Sequence, residues 1–241
     1  MKYLSLALSF LTVFPVRLKE KPLPGDLGRA AGWFPFTGAI IGAVVAGAYV
    51  GLNLLFPSPL AAVLATAIWI GLTGGLHLDG LADCCDGMLS ASSPERRLEI
   101  MKDPRLGTFG GIGLFLAILL KTACLYSIPD GQVWFALPLA AATARWLLLP
   151  TGRQALARPG GMGADFSSGL TLKAFLPAAL VAGILAAVAG WRGLAAFLAA
   201  HLAALLVFRS AKRRLGGVTG DVFGLVVELS ELVVLTGFCL K

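Results

Sequence analysis

Long apolar runs separated by short polar segments dominate the chain. Residues 30–78 contain no Asp, Glu, Lys or Arg, and Pro57-Ser58-Pro59 divides this stretch into two runs. A membrane-spanning helix needs about 20 apolar residues, so the stretch predicts two spans. Further runs cover residues 109–128, 132–149, 174–190, 194–208 and 222–240. The pattern therefore predicts a bundle with about seven membrane segments.

The amino-terminal apolar segment, residues 3–15, is short for a span. Lys2 precedes it, as in a signal peptide. No small-residue cleavage site follows, and Arg17, Lys19 and Lys21 come next instead. We therefore expect a retained helix that is interfacial or half-inserted.

Composition points to the same class of protein. The 241 residues are 57% hydrophobic and only 14% charged, whereas soluble domains carry about 25% charged residues. Four cysteines without any Cys-x-x-Cys pair support neither a disulfide scaffold nor a structural zinc site. We predict one all-α, integral membrane domain over residues 1–241.

Basic residues alternate between the loops. In chain order the loops hold four, none, four, none, three, one and four Lys or Arg residues. The positive-inside rule then places the rich loops, which contain Arg29, Lys102, Arg158 and Arg213, in the cytoplasm. The net charge of +7 comes from these loops, so it reports topology, and we expect no nucleic-acid partner.

An acidic segment follows the second apolar run. Asp79, Asp83 and Asp86 are spaced i, i+4 and i+7, so on a helix they fall within about 60° of one face. Charges about 6 Å apart repel by roughly 3 kcal/mol at a dielectric near 20, so protonation or a cation must relieve the stripe. Hard oxygen ligands suit Mg²⁺, Mn²⁺ or Ca²⁺. The alternative is a solvated polar helix end.

Two histidines lie near or within apolar runs. His77 points away from the Asp stripe on a regular helix and reaches it only if Gly74-Gly75 breaks the helix. A hydrogen bond to a neighbouring helix is the alternative role for His77. His201 stands alone in an apolar run, and we assign it to packing.

Two polar loops have the composition of anion-binding turns. Lys102-Asp103-Pro104-Arg105 precedes a glycine-rich segment, and Arg213-Arg214 precedes a turn that includes Gly217, Thr219 and Asp221. Lys, Arg and exposed backbone N–H groups bind phosphate. Topology alone also explains the basic residues, and Asp221 can instead cap the last helix.

Glu228 and Glu231 lie within the last apolar run and need partners there. Lys121 and Arg145, which interrupt two other runs, are the cations that we expect to pair with them.

Three segments together carry a family resemblance. They are GGLHLDGLADCCDG at 74–87, RRLEIMKDPRLGTFGG at 96–111 and RRLGGVTGDVFG at 213–224. In this order and separation they resemble the cobalamin synthase family, the adenosylcobinamide-GDP ribazoletransferases. The resemblance implies a multi-spanning, Mg²⁺-dependent enzyme of the cell (inner) membrane. Such an enzyme joins alpha-ribazole, or its 5′-phosphate, to adenosylcobinamide-GDP and releases GMP.

The resemblance also implies roles for residues. Asp79, Asp83 and Asp86 would hold Mg²⁺. Asp86 is the first choice for the general base, with Asp221 in reserve and His77 as a further catalytic candidate. The residues expected to bind substrate phosphate are Lys102, Arg105, Arg214, Gly217 and Thr219.

A competing class is a membrane cation or metabolite transporter with a carboxylate-lined site. Transporter sites are expected near the bilayer midplane on broken helices, whereas the clusters here lie at predicted cytoplasmic helix ends. A membrane scaffold explains neither the Asp spacing nor the glycines. The sequence leaves the oligomeric state open, a homo-oligomer included.

Overall fold

Helices form wherever the apolar runs lie. The computed structural model describes residues 2–18 and 20–240, so Lys19, counted among the basic loop residues, lies outside the described part. Its α-helices are, in order, α1 (Lys2–Leu11), α2 (Asp26–Ala30), α3 (Phe34–Asn53), α4 (Ser58–Thr73), α5 (Leu76–Leu89), α6 (Pro94–Ile100), α7 (Thr108–Ser127), α8 (Val133–Thr151), α9 (Gly161–Gly169), α10 (Leu172–Val188), α11 (Gly190–Leu215) and α12 (Gly220–Phe238). No strand occurs within the described ranges; the one isolated β-bridge joins Leu156 to Val218. The protein is an all-α, polytopic membrane bundle.

By length and composition, four to six candidate spans occur in the described part of the chain, where the sequence predicts about seven. Helical regions long and apolar enough to cross a membrane are Asp26–Asn53, Thr108–Ser127, Asp130–Thr151 and Gly190–Leu215. The pairs α4–α5 and α9–α10, bent by 93° and 98°, raise the number to six if each is one span. Every predicted apolar run does coincide with a helix. The difference arises because α4 and α10 are short and α12 carries three carboxylates.

The α3–α8 contact is the closest between two long helices. A Cβ added at Gly38 would collide with the Ala141 carbonyl, and one at Gly42 with the Leu137 carbonyl. Small residues allow helix backbones to approach in membranes, where van der Waals packing drives association. The spacing Gly38-x-x-x-Gly42 therefore explains why α3 lies directly on α8.

A buried ionic cluster joins α12 to α7 and α8. Lys121 Nζ lies 2.7 Å from Glu228 Oε2 and 2.6 Å from Glu231 Oε2. Arg145 donates to the other oxygen of Glu231, and Lys121 Nζ lies 4.7 Å from the centre of the Trp69 ring. The predicted pairing of the two glutamates with Lys121 and Arg145 is confirmed.

His201 makes packing contacts, as predicted. Its Nε2 accepts a 2.8 Å hydrogen bond from the indole N–H of Trp146. Its Nδ1 lies 2.8 Å from the Phe197 carbonyl and donates to it, since Nε2 is the acceptor. His201 therefore ties α11 to α8.

The amino-terminal apolar segment is helical over Lys2–Leu11. Leu6, Ala7 and Leu11 are buried against the rest of the protein. The helix ends before Pro15, so it covers only part of the predicted segment. Its depth in the bilayer stays a prediction.

The four basic loops meet at one end of the bundle. Gly25 N–H donates to Asp165 over 2.8 Å, which joins the first basic loop to the third. Arg97 donates to the Arg214 carbonyl over 3.2 Å, joining the second to the fourth. Arg158 donates to the Leu98 carbonyl over 3.4 Å, joining the third to the second. These loops therefore share one face of the protein, as the alternation of basic residues predicted.

Candidate active site

A two-glycine break places the acidic residues on a helix of their own. Gly74 and Gly75 have φ values of +64° and +68°, which L-residues with side chains rarely adopt. They end α4 and start α5 at an angle of 93°. Asp79, Asp83 and Asp86 all lie on α5, so the break that the sequence allowed is present and the predicted helical stripe is confirmed.

Helix α12 crosses α5 at two glycines. A Cβ at Gly80 would lie 2.7 Å from the Asp221 carbonyl, and one at Gly224 would lie 2.8 Å from the His77 carbonyl. Contacts this short require that both positions lack a side chain. The crossing brings the start of α12, with Asp221, to the helix that carries Asp79.

Thr219, not Asp221, caps α12. Its Oγ1 accepts from the Val222 N–H over 3.4 Å and donates to Asp221 Oδ2 over 3.1 Å. The alternative assignment of Asp221 as the cap is therefore wrong, because the hydroxyl two residues earlier already serves the helix end. Asp221 is left to face the neighbouring groups, and Arg158 Nη2 lies 3.4 Å from its Oδ2.

Negative charge accumulates on this side of α5. The Asp83 carboxyl is partly buried, and Asp221, Asp79 and Asp86 lie close enough to repel its ionised form. The Asp221 carboxylate therefore adds its negative charge to that of Asp79, Asp83 and Asp86 on α5. A divalent cation would relieve this repulsion, and carboxylate oxygens are the hard ligands that Mg²⁺ prefers.

The three stripe carboxylates do not form a complete ligand set. In the described part of the chain, no group of three or more His, Cys, Asp or Glu side chains is close enough to hold a metal ion. Asp86 turns instead to the start of α7, where its oxygens accept 2.8 Å hydrogen bonds from the Gly107 and Gly110 N–H groups. Mg²⁺ commonly uses one or two carboxylates, with waters and substrate phosphate completing its shell. The remaining residues, Asp79 and Asp83, fit that pattern.

A cavity of about 300 Å³ opens between α5, α9 and α12. Its polar lining includes His77, Asp79, Arg158, Thr219 and Asp221. His77 is 5% exposed, and its Nδ1 has no hydrogen-bond partner among the described residues. The structure thus brings four predicted site residues from two segments, His77, Asp79, Thr219 and Asp221, to one cavity.

The other residues predicted to bind substrate lie outside the cavity lining, except Thr219. Lys102 is exposed, and Arg105 pairs with Asp103 over 2.6 Å at the surface. Arg214 donates to the Met88 carbonyl. Gly217 lies directly against the backbone of residues 155–157. The neighbouring Val218 donates to the Ala155 carbonyl over 2.8 Å and accepts from the Ala157 N–H over 2.9 Å. Direct roles for these residues in substrate binding stay predictions.

Sequence reasoning missed Arg158 and the glycines after it. Among the residues that the structure describes, Arg158 is the one Lys or Arg that lines the cavity. The alternation of basic residues explains it only as a charge that sets topology. The signal available was the run Arg158-Pro159-Gly160-Gly161, in which an arginine and a proline precede two glycines with φ near +79°.

Fold and cavity together define a class: a polytopic membrane protein with carboxylates and an arginine around a cavity at one end of a helical bundle. Comparison with known proteins narrows this class. The chain belongs to the cobalamin-5-phosphate synthase family, which it matches over residues 3–239.

Curated relatives are similar over nearly the whole chain. The adenosylcobinamide-GDP ribazoletransferase of Deinococcus radiodurans is 40% identical, covering 97% of this chain and 84% of that protein. Those of Desulfitobacterium hafniense and Stutzerimonas stutzeri are 37% and 39% identical, covering 98% and 99% of this chain and 96% and 98% of theirs. No solved structure matches the chain. The transporter alternative finds no support in these relatives.

Proposed function

We propose that the protein joins alpha-ribazole, or its 5′-phosphate, to adenosylcobinamide-GDP and releases GMP. Relatives bearing the ribazoletransferase name match this chain almost from end to end. The structural observation that supports the proposal is the close crossing of α5 and α12 at Gly80 and Gly224. It puts Asp79 and Asp221 on the wall of the same cavity.

The proposed reaction is a phosphoryl transfer. The ribazole 3′-hydroxyl oxygen forms a bond to the phosphorus next to cobinamide. The bond between that phosphorus and the bridging oxygen of the diphosphate breaks, and GMP leaves with the electron pair. The hydroxyl proton passes to a carboxylate of the protein.

Asp221 is the better-placed general base. It lines the cavity, and one of its oxygens is engaged by Thr219 and Arg158. Asp86, the first choice from the sequence, already accepts two backbone hydrogen bonds at the start of α7. We therefore propose that Asp221 accepts the hydroxyl proton and that Asp86 fixes α7 against α5.

Asp79 and Asp83 are the residues proposed to hold Mg²⁺, with Asp86 beside them. When bound, Mg²⁺ would neutralise charge on the diphosphate and on the departing GMP. Among the described residues, the buried Nδ1 of His77 has no hydrogen-bond partner, and we propose that it bonds to substrate. The basic end of the bundle is proposed to face the cytoplasm, across the cell (inner) membrane.

A direct assay tests the proposal. Purified protein is incubated with adenosylcobinamide-GDP, alpha-ribazole and Mg²⁺, and GMP is quantified by chromatography. We expect GMP and the joined corrinoid in equal amounts, and none of either after Mg²⁺ is chelated with EDTA. Omitting alpha-ribazole is the control, since GMP released without it would indicate hydrolysis. Absence of product with all three components would refute the proposed function.

A further inference from the structure

Among the described residues, Arg158 makes two long hydrogen-bond contacts. Its Nη2 lies 3.4 Å from Asp221 Oδ2, and its Nη1 lies 3.4 Å from the Leu98 carbonyl. Both distances exceed the usual 2.7–2.9 Å of a charge-assisted hydrogen bond. A guanidinium carries five N–H donors in a planar fork. Arg158 therefore retains donors for a ligand of the cavity.

Two helix N-termini converge beside this arginine. A Cβ added at Gly163, in the first turn of α9, would lie 3.3 Å from the Gly220 backbone nitrogen at the start of α12. Within the described ranges, no side chain caps α9, and a Cβ at Gly160, Gly161 or Gly220 would meet nothing within 4 Å. The first N–H groups of a helix lack intrahelical partners and carry positive partial charge, so they attract anions.

His77 is an independent sign that the cavity takes a polar ligand. It lines the same cavity from α5 and is 5% exposed. Its Nδ1 has no partner in the described structure. A buried polar atom without a hydrogen bond costs about 1–3 kcal/mol, and a substrate atom that pairs with Nδ1 would remove that cost.

We infer that Arg158 and the N-termini of α9 and α12 bind the diphosphate of adenosylcobinamide-GDP. This inference rests on the proposed function. It assigns the diphosphate to an arginine that the sequence identified only as a loop charge and that lines the same cavity as Asp79. A planar fork can hold two phosphate oxygens at once, which fixes the orientation of the diphosphate as well as its position.

The ion pair with Asp221 gives this binding a second effect. With five donors, Arg158 can hold Asp221 Oδ2 and phosphate oxygens together, which would place the diphosphate beside the proposed base. Among the described residues, the hydrogen bonds of Arg158 and Thr219 both go to Oδ2 of Asp221, so Oδ1 stays available to the ribazole hydroxyl.

Binding measurements on the full-length protein in detergent, with EDTA present to exclude metal, test the inference. Arg158→Gln should weaken binding of adenosylcobinamide-GDP by about 10-fold to 100-fold, the value of a charge-assisted contact. Binding of adenosylcobinamide, which lacks the diphosphate, and of alpha-ribazole should not change. Arg158→Lys, which keeps the charge without the fork, should recover part of the loss. Arg96→Gln is the matched control, because Arg96 pairs with Glu99 on the exposed face of α6.

The outcomes separate this inference from the proposed function. If Arg158→Gln binds adenosylcobinamide-GDP as the unaltered protein does, or weakens both corrinoids equally, the inference is refuted while GMP release by the unaltered protein still supports the function. If the unaltered protein neither binds adenosylcobinamide-GDP nor releases GMP, the proposed function fails first. Thermal unfolding of each variant checks its fold, and if Arg158→Gln is unfolded, the Lys variant decides by the same comparison of the two corrinoids.

Discussion

Asp79 and Asp83 each carry a charge whose removal should relieve repulsion within the fold. Neither carboxylate makes a hydrogen bond or an ion pair among the contacts of the described residues, unlike Asp86. Replacing either carboxylate by an amide of the same shape should therefore remove a proposed metal ligand without breaking a contact that supports the fold.

Asp79→Asn and Asp83→Asn should each reduce GMP release by about 100-fold or more, since a bound metal stabilises transition-state charge by several kcal/mol. Each variant should unfold at the same temperature as the unaltered protein or higher. Asp130→Asn, in the turn before α8, is the control and should retain full activity. Near-normal GMP release by either variant at limiting Mg²⁺ would remove that residue from the proposed metal site.

At the level of residues, sequence reasoning succeeded where spacing carried the signal. The i, i+4, i+7 pattern located the carboxylates, and the need to pair buried charges located Lys121 and Arg145. It failed for Arg158 because the positive-inside rule already explained a basic residue in that loop. It also could not foresee that Asp86 would bond to Gly107 and Gly110, since that contact depends on how α7 approaches α5.

Among elements, the α3–α8 pair shows most directly how backbone proximity depends on single residues. Gly42 and Gly51 lie on the same helix but differ in their surroundings: α8 backbone stands against the first, and a Cβ at the second would meet nothing within 4 Å. The same substitution at these two sites therefore isolates the effect of helix contact from that of helix propensity.

Gly42→Ala should lower the free energy of unfolding by about 1–3 kcal/mol, the usual cost of overpacking. Gly51→Ala should leave it unchanged or raise it by up to about 1 kcal/mol, as expected when alanine replaces an unhindered helical glycine. Denaturant titration in detergent micelles, followed by circular dichroism, measures both. Equal effects at the two positions would contradict the packing derived for α3.

Helix bounds were predictable where apolar runs ended at charges or prolines, as at Pro57, which immediately precedes α4. The short helices were not. The nine-residue α9 carries no apolar run of its own, and its place depends on contacts such as that of Gly169 with the Gly25 backbone. Hydropathy alone therefore could not predict that α9 forms one wall of the cavity.

For the whole molecule, contacts between the basic loops show directly that these loops lie at one end of the bundle, which the positive-inside rule predicts only statistically. Loops that touch one another must lie on one side of the membrane, and only the identity of that side remains to be measured. The positive-inside rule assigns it to the cytoplasm, which is where a nucleotide-activated corrinoid can reach the cavity.

Cysteine labelling in intact cells tests the orientation. In a variant without native cysteines, Lys102→Cys should react with a membrane-impermeant maleimide only after the cells are opened. Asp130→Cys should react in intact cells, because its turn lies at the other end of the bundle. Both positions are exposed, so accessibility within the protein does not bias the comparison. Strong labelling of position 102 in intact cells would reverse the orientation and place the cavity outside.

The charges shared by α7, α8 and α12 also constrain the order in which the chain enters the bilayer. A charged side chain near the middle of an inserting helix costs on the order of 3 kcal/mol, and Glu228 and Glu231 both lie near the middle of α12. An isolated α12 should therefore insert into the bilayer poorly. Beside α7 and α8, its two carboxylates form ion pairs with Lys121 and Arg145. We therefore expect α12 to enter the bilayer only after α7 and α8 are in place. The cavity wall that carries Asp221 would then form last, when α12 packs against α5.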